Sequence, residues 1–307
     1  MAGVCRCSTR RGWRKFDRSP VDHARSKNEA LIIPRGPALD AATFQRLRAR
    51  ITAASGIFVL ADENSRFVLE RRLQPRLRQR GLLSFADYEA AIDAIEMESV
   101  LDTVAVHETY FFREARQLQA FAERIVPELA RQRDPARIWS AGCSTGEEAY
   151  TIAMLLAERG LLEDGRIELL ATDLSRRVIE SARQGIYGPS SFRTTEPAYQ
   201  QQYFQDAGRG FLQVADGLRA AVQFEQANLI APDASRIRPA DSGGFDVVFC
   251  RNVLMYFEEA AARQTLELIF SLLKDGGYLL LGHAESLLPL GSGFRPVQFG
   301  RELVHQK

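Results

Sequence analysis

The sequence has few cysteines: Cys5, Cys7, Cys143 and Cys250 in 307 residues. Two fall in an N-terminal stretch without hydrophobic pattern and two in apolar segments. No disulfide framework is expected, and a reducing, cytoplasmic setting is. Cys5 and Cys7 have no neighbouring His or third Cys to complete a tetrahedral site, so no metal centre is expected. No run approaches the roughly 20 apolar residues that a membrane span needs. No apolar stretch follows the basic N-terminus before Pro20, as a secretory signal requires, although composition leaves a transit peptide open. Internal repeats and low-complexity tracts are absent, as is a convincing Cys/His or Ser/His/Asp set for nucleophilic catalysis.

What is present is the composition of a globular chain, 46% apolar and 26% charged, with a formal net charge of +1. The length suggests two domains. The charge is unevenly spread: residues 1–36 carry nine Lys or Arg against three acids. That stretch reads as a disordered basic extension. Residues 37–105 read as a helical domain. Asp40 is a candidate N-cap ahead of Phe44, Leu47 and Ile51, and Gly56 a stop. A second helix from Glu63 would turn Phe67, Leu73 and Leu77 inward, with a kink or break at Pro75. Ser84 and Asp87 would open a third. A further helical stretch runs over about 96–131. Beyond Pro135 short apolar runs (137–141, 167–172, 245–250, 277–281) alternate with helical patterns. That texture predicts an α/β, Rossmann-like domain over 106–307 with a parallel sheet.

The first run ends in Ser140-Ala141-Gly142-Cys143-Ser144-Thr145-Gly146-Glu147-Glu148 and leads into a helix. A strand, a glycine turn and a helix N-terminus make a ligand cradle. The turn lacks the Gly-Lys-Ser/Thr ending of phosphate loops and leads into two carboxylates, which suits a ligand bearing an amino group. A capping box, Ser144 with Glu147 or Thr145 with Glu148, is the alternative. The second run ends at Asp173, where a doubly wound sheet offers an acid to ribose hydroxyls. Asn228, Arg251 and Asn252 follow later strands on the same edge.

These residues closely resemble the chemoreceptor glutamate O-methyltransferase family, the CheR type, over about 40–305. The resemblance rests on His107-Glu108-Thr109-Tyr110-Phe111-Phe112-Arg113, on the Gly142–Glu148 string, on Ala171-Thr172-Asp173, on Phe249 to Phe257, and on Gly276-Gly277 through Gly282-His283-Ala284-Glu285-Ser286. It implies an S-adenosyl-L-methionine pocket lined by His107, Thr109, Arg113, Glu147, Asp173, Asn228, Leu229, Arg251 and Asn252, with Arg113 and Tyr256 flanking the transferred methyl. It also implies a small β-subdomain over about 186–223, for which Phe211, Leu212, Val214, Val222 and Phe224 read as short strands around Asp216-Gly217. Two positions depart from the family's usual residues: His107 stands for Asn and Ala149 for Pro. Phe111 and Phe112 read as core packing.

The implied reaction transfers a methyl group from a sulfonium to a glutamate side chain. A carboxylate is ionised near pH 7, so alignment and a dry site matter and a general base does not. Six arginines (Arg66, Arg71, Arg72, Arg76, Arg78, Arg80) fall within residues 66–80 of the second helix against one acid there, Glu70. Arg66, Arg72, Arg76 and Arg80 are the candidate docking residues for the acidic cytoplasmic helices of methyl-accepting receptors. A solvated helix face is the plainer alternative. No aromatics interleave with these arginines to stack bases, so no nucleic-acid partner is expected. A monomer without membrane insertion is expected. Two other functions stay open at this level: a non-catalytic S-adenosylmethionine or S-adenosylhomocysteine sensor, and a nucleic-acid methyltransferase.

Overall fold

A computed structural model describes residues 36–162, 165–231, 237, 243–287 and 293–307. The basic stretch 1–35, with Cys5 and Cys7, lies outside the described residues. Pro37–Lys307 pack as one compact unit.

The chain enters through α1 (Ala41–Ser55), α2 (Glu63–Gln79), α3 (Phe85–Ala90) and α4 (Ala94–Val104). Each begins where a short polar side chain, on Asp40, Asp62, Ser84 or Asp93, accepts a hydrogen bond from the backbone N–H three residues on, which satisfies an otherwise orphaned donor. Gly56 ends α1 in the left-handed conformation, its N–H on the Thr52 carbonyl. Phe44, Leu47, Ile51, Leu69, Leu73, Leu77, Phe85 and Tyr88 bury themselves together.

Two sequence expectations for α2 change. The helix runs through Pro75 to Gln79 without a break. Phe67 points out, 54% exposed. The inward stripe is Leu69, Leu73 and Leu77, repeating every four residues, and Phe67 falls off that face. The Arg71 guanidinium lies over its ring, 5.7 Å from the centroid.

The expected continuous helix over 96–131 is interrupted. After α4 an irregular segment spans 105–114, followed by α5 (Ala115–Ala120), a π-helical turn (Phe121–Ile125) and α6 (Val126–Leu129). The remainder alternates as predicted: β1 (Ala136–Ala141), α7 (Glu147–Ala157), β2 (Ile167–Asp173), α8 (Arg176–Gln184), β3 (Ile186–Tyr187), α9 (Pro197–Tyr203), β4 (Phe204–Gly208), β5 (Phe211–Val214), α10 (Asp216–Ala221), β6 (Val222–Gln226), β7 (Phe245–Cys250), α11 (Glu259–Leu272), β8 (Leu273–Leu281), β9 (Arg295–Phe299) and β10 (Glu302–Gln306).

Seven strands form one sheet in the order β6-β2-β1-β7-β8-β10-β9. The first five are parallel neighbours and β10 is antiparallel to both β8 and β9. The order reverses at β1, so the crevice at the carboxyl ends of β1 and β7 is the position where open α/β sheets bind ligands. Alternate residues feed opposite faces. Ile138, Val247, Phe249 and Leu280 pack on one side, and Trp139, Val248, Cys250 and Leu281 on the other. This two-sided burial is why the central strands read as unbroken apolar runs.

A separate three-stranded sheet, β3-β5-β4, forms the inserted subdomain. Val222 and Phe224 do not belong to it. They lie on β6, paired with β2 of the main sheet, and Asp216-Gly217 opens α10 and makes no turn between strands. Short, half-polar strands carry too little pattern to separate these cases.

Candidate active site

The irregular segment 105–114 forms one wall of the ligand crevice. Ala105 leaves α4 in extended conformation, and Phe112 and Glu114 adopt positive φ of 59° and 58°. Phe111 anchors the segment, fully buried against the rings of Tyr187, Phe192 and Phe204. The core reading of this Phe pair therefore stands, and the polar residues around it are left to face the crevice.

His107, Thr109, Arg113, Gly142, Asp173, Asn228, Leu229, Arg251, Asn252 and Tyr256 line a single cleft. Counting its open mouth, it encloses about 1120 Å³.

Asp173 ends β2 and is fixed from two sides. One oxygen accepts the Ser144 N–H at 2.9 Å and the other the Ser175 N–H at 3.0 Å. Each oxygen keeps a further lone pair for a ligand hydroxyl. Burial pushes its carboxyl above the usual range, opposed by those two N–H groups and by His107. Ser175 caps α8, with the Val178 N–H on its hydroxyl. His107 stands nearby. Burial lowers its ring's pKa, the Asp173 charge opposes, and the Arg177 charge adds to the lowering. Its Nε2 is a buried polar atom with no partner, in a wall of the cleft. An orphaned nitrogen beside an anchored carboxylate fits a polar, nucleoside-bearing ligand.

Gly142, at φ +79°, has a role that the cradle reading did not foresee. A Cβ there would come within 2.5 Å of a Val253 methyl. The glycine lets β1 and the loop after β7 pack together, and the ligand surface is built on that contact.

Arg251 follows β7 directly and is the hub of the floor. Its side chain, 2% exposed, pairs with Glu114 at 3.1 Å and with Glu148 at 3.2 Å, and donates to the Arg113 carbonyl at 2.5 Å. Burial raises the Glu148 carboxyl, with Arg251 opposing. Burial also acts upward on Glu114, but Arg251 and the His283 N–H outweigh it and its pKa falls below normal.

Glu147 does not line the cleft. Its carboxylate is buried, accepting from the Thr145 hydroxyl at 2.6 Å and the Ser191 hydroxyl at 2.9 Å, and burial raises its pKa. Glu148 faces the cleft instead, held by the Ser140 hydroxyl at 2.7 Å. Neither proposed capping box forms, because Gly146 at φ 96° is the residue ahead of α7. That glycine sets the rotation of the helix, and with it which of two adjacent acids faces the cleft. The sequence pattern fixed the acids but not the rotation.

The comparisons with known proteins converge. Residues 107–301 match the family model described as CheR methyltransferase, SAM binding domain. A chemotaxis protein methyltransferase 2 of Vibrio cholerae is 33% identical over 86% of this chain and 92% of its own length. Chemotaxis protein methyltransferases of Salmonella typhimurium and Escherichia coli are 36% and 35% identical, over 81% and 84% of this chain and 85% and 88% of theirs. The chain belongs to the CheR methyltransferase family.

This CheR-family chain is thus an S-adenosylmethionine-dependent methyltransferase, and its sheet topology and cleft agree. No helix among the described residues is long and apolar enough to cross a membrane. Cys143 and Cys250 are buried free thiols, their pKa values driven well up by burial, so neither is a nucleophile.

The arginines of α2 divide. Arg76 and Arg80 reach Glu96 at 2.6 and 3.1 Å, and Arg72 donates to the Val104 carbonyl at 2.7 Å. These three tie α2 to α4. Arg66 pairs with Glu63 on its own helix. Arg71 and Arg78 are exposed, and so are Arg72 and Arg80 despite these bonds. The four-residue spacing of Arg72, Arg76 and Arg80 thus also serves contacts between α2 and α4.

Proposed function

We propose that this methyltransferase transfers the methyl group of S-adenosylmethionine to glutamate carboxylates on the cytoplasmic helices of chemoreceptors, giving glutamyl methyl esters. The observation that carries the reading is the pairing of Arg113 and Tyr256 in the same cleft as Asp173 and His107. The relatives, chemotaxis protein methyltransferases, support a substrate of the chemotaxis machinery.

When bound, the sulfonium cofactor supplies an activated methyl group. Asp173 and His107 hold its polar nucleoside end, and Asn228, Leu229, Arg251 and Asn252 complete the lining. The other residues orient the acceptor. Arg113 spends one nitrogen on the Glu108 carbonyl at 2.9 Å. Its remaining donors carry no hydrogen bond among the described residues and suit a carboxylate. Tyr256, half-buried in the lining, holds the acceptor through its hydroxyl. The acids of the cleft are already engaged: Glu148 by Ser140 and Arg251, Asp173 by two backbone N–H groups, and Glu108 by Arg193. None is placed as a general base, and an ionised glutamate needs none.

The helical unit over 37–105 is the receptor-docking part in this reading. Its docking charge is Arg66, Arg71 and Arg78 together with whatever Arg72, Arg76 and Arg80 still present outward. Incubation of a receptor cytoplasmic fragment with protein and S-adenosylmethionine, followed by peptide mapping, should place new methyl groups on glutamates of the helical stalk. Methylation confined to other residues, or to nucleic acid, would refute it.

A further inference from the structure

The segment Gly282-His283-Ala284-Glu285 follows β8, and nothing above gives its acid a role. Glu285 does not line the cleft. Its carboxylate instead sits inside a ring of backbone donors. One oxygen accepts the N–H groups of Asn252 and Gly282, both at 2.7 Å. The other accepts those of Val253 at 2.8 Å and Met255 at 3.2 Å. Three of these four donors belong to the loop between β7 and α11, the loop that presents Asn252, Val253 and Tyr256 to the cleft.

Three further features show a loop held in a set shape. Asn252 is left-handed, φ 59°, a conformation that asparagine tolerates and that tertiary bonds must maintain. Gly282 is required at the crossing, because a Cβ there would lie 2.5 Å from the Asn252 side-chain nitrogen. From the other side, the end of α1 splints the loop: the Phe58 N–H donates to the Tyr256 carbonyl at 2.7 Å, and the Glu258 N–H to the Gly56 carbonyl at 2.8 Å.

We infer that Glu285 is a positioning residue for methyl transfer, whose carboxylate fixes the 252–256 loop so that Asn252 and Tyr256 meet cofactor and acceptor. A carboxylate suits the task because it is acceptor-only and charge-assisted. Glutamine does not, since in either orientation its NH2 group faces two N–H donors.

The test uses the full chain and the E285Q variant, with S-adenosylhomocysteine affinity by calorimetry, thermal melting, and turnover on a receptor fragment. Only the turnover arm rests on the proposed receptor substrate; calorimetry does not, so failure of that substrate reading is separable. E285Q should stay folded but melt below the parent, and bind S-adenosylhomocysteine about tenfold to a hundredfold more weakly, because binding must then re-form the loop that the lost charge-assisted hydrogen bonds held. Turnover at saturating cofactor should fall as well. A folded E285Q with parental affinity overturns the proposal. If E285Q does not fold, hydrogen exchange on the unmodified protein decides. The amides of 252–256 should exchange slowly and slow further with S-adenosylhomocysteine. Open-loop exchange that the ligand leaves unchanged overturns it.

Discussion

The Arg76 guanidinium closes on the Glu96 carboxylate with two hydrogen bonds, Nε to Oε1 at 3.0 Å and Nη2 to Oε2 at 2.6 Å. Glu96 is 3% exposed, and the Tyr88 hydroxyl and Arg80 complete its shell. Burial alone would raise its pKa, but these partners outweigh it and hold the carboxyl below its ordinary value.

R76A should therefore lower unfolding free energy by about 1.5–3 kcal/mol, the scale of hydrogen bonds to a charged group. The sign with pH follows from the depressed carboxyl. The contribution is present above the ordinary glutamate range and is lost as pH falls through the folded pKa. Urea denaturation at neutral and acid pH checks both. An R76A variant as stable as the parent at neutral pH would make the pair incidental.

In the proposed function receptor docking rests on the exposed arginines of α2, Arg71 and Arg78 among them. R71A/R78A should raise the Michaelis constant for receptor at low salt and leave S-adenosylhomocysteine affinity unchanged. Exposed charges are screened over about 8 Å at physiological ionic strength, so added salt should bring parent and variant together. Equal receptor constants at low salt would make α2 a solvated face.

Asp173 should carry much of the cofactor affinity. D173A should weaken S-adenosylhomocysteine by about 1.5–3 kcal/mol in calorimetry. Unchanged affinity would remove Asp173 from the binding site, despite its anchored geometry.

His107 makes a pH-dependent difference. Its folded pKa lies below the ordinary 6.5, chiefly through burial. The unfolded chain therefore takes up the proton more readily, and this group's contribution to stability is lost as pH falls through that ordinary value. Comparing H107N with the parent cancels the titrating groups that do not interact with His107. The variant should gain melting temperature relative to the parent between about pH 7.5 and about pH 5.5. Parallel profiles would contradict the burial of a neutral ring.

Much of this site was legible because the sheet's chemistry is written at strand ends. Asp173, Arg251 and Asn252 each close an apolar run, and Asp40 and Ser84 cap helices that their own neighbours announce. What escaped the sequence depended on rotation or on long-range partners. Glu147 and Glu148 are adjacent, and only the left-handed Gly146 decides which meets the cleft. Glu114 shows its importance only once Arg251, 137 residues away in sequence, is folded against it. Phe67 looked inward because aromatic residues usually do, yet the leucines alone set the buried stripe. Arg72, Arg76 and Arg80 share one helical face, and spacing cannot say whether that face meets water or Glu96.

The central claim is methyl-ester formation on receptor glutamates. The direct measurement incubates the protein with S-adenosylmethionine labelled in the methyl group and a receptor cytoplasmic fragment, then treats the product with alkali. The account predicts label in the receptor that alkali releases as volatile methanol, and its loss in a folded R113A variant. Label that survives alkali, or no transfer by a protein that binds S-adenosylhomocysteine, would contradict it.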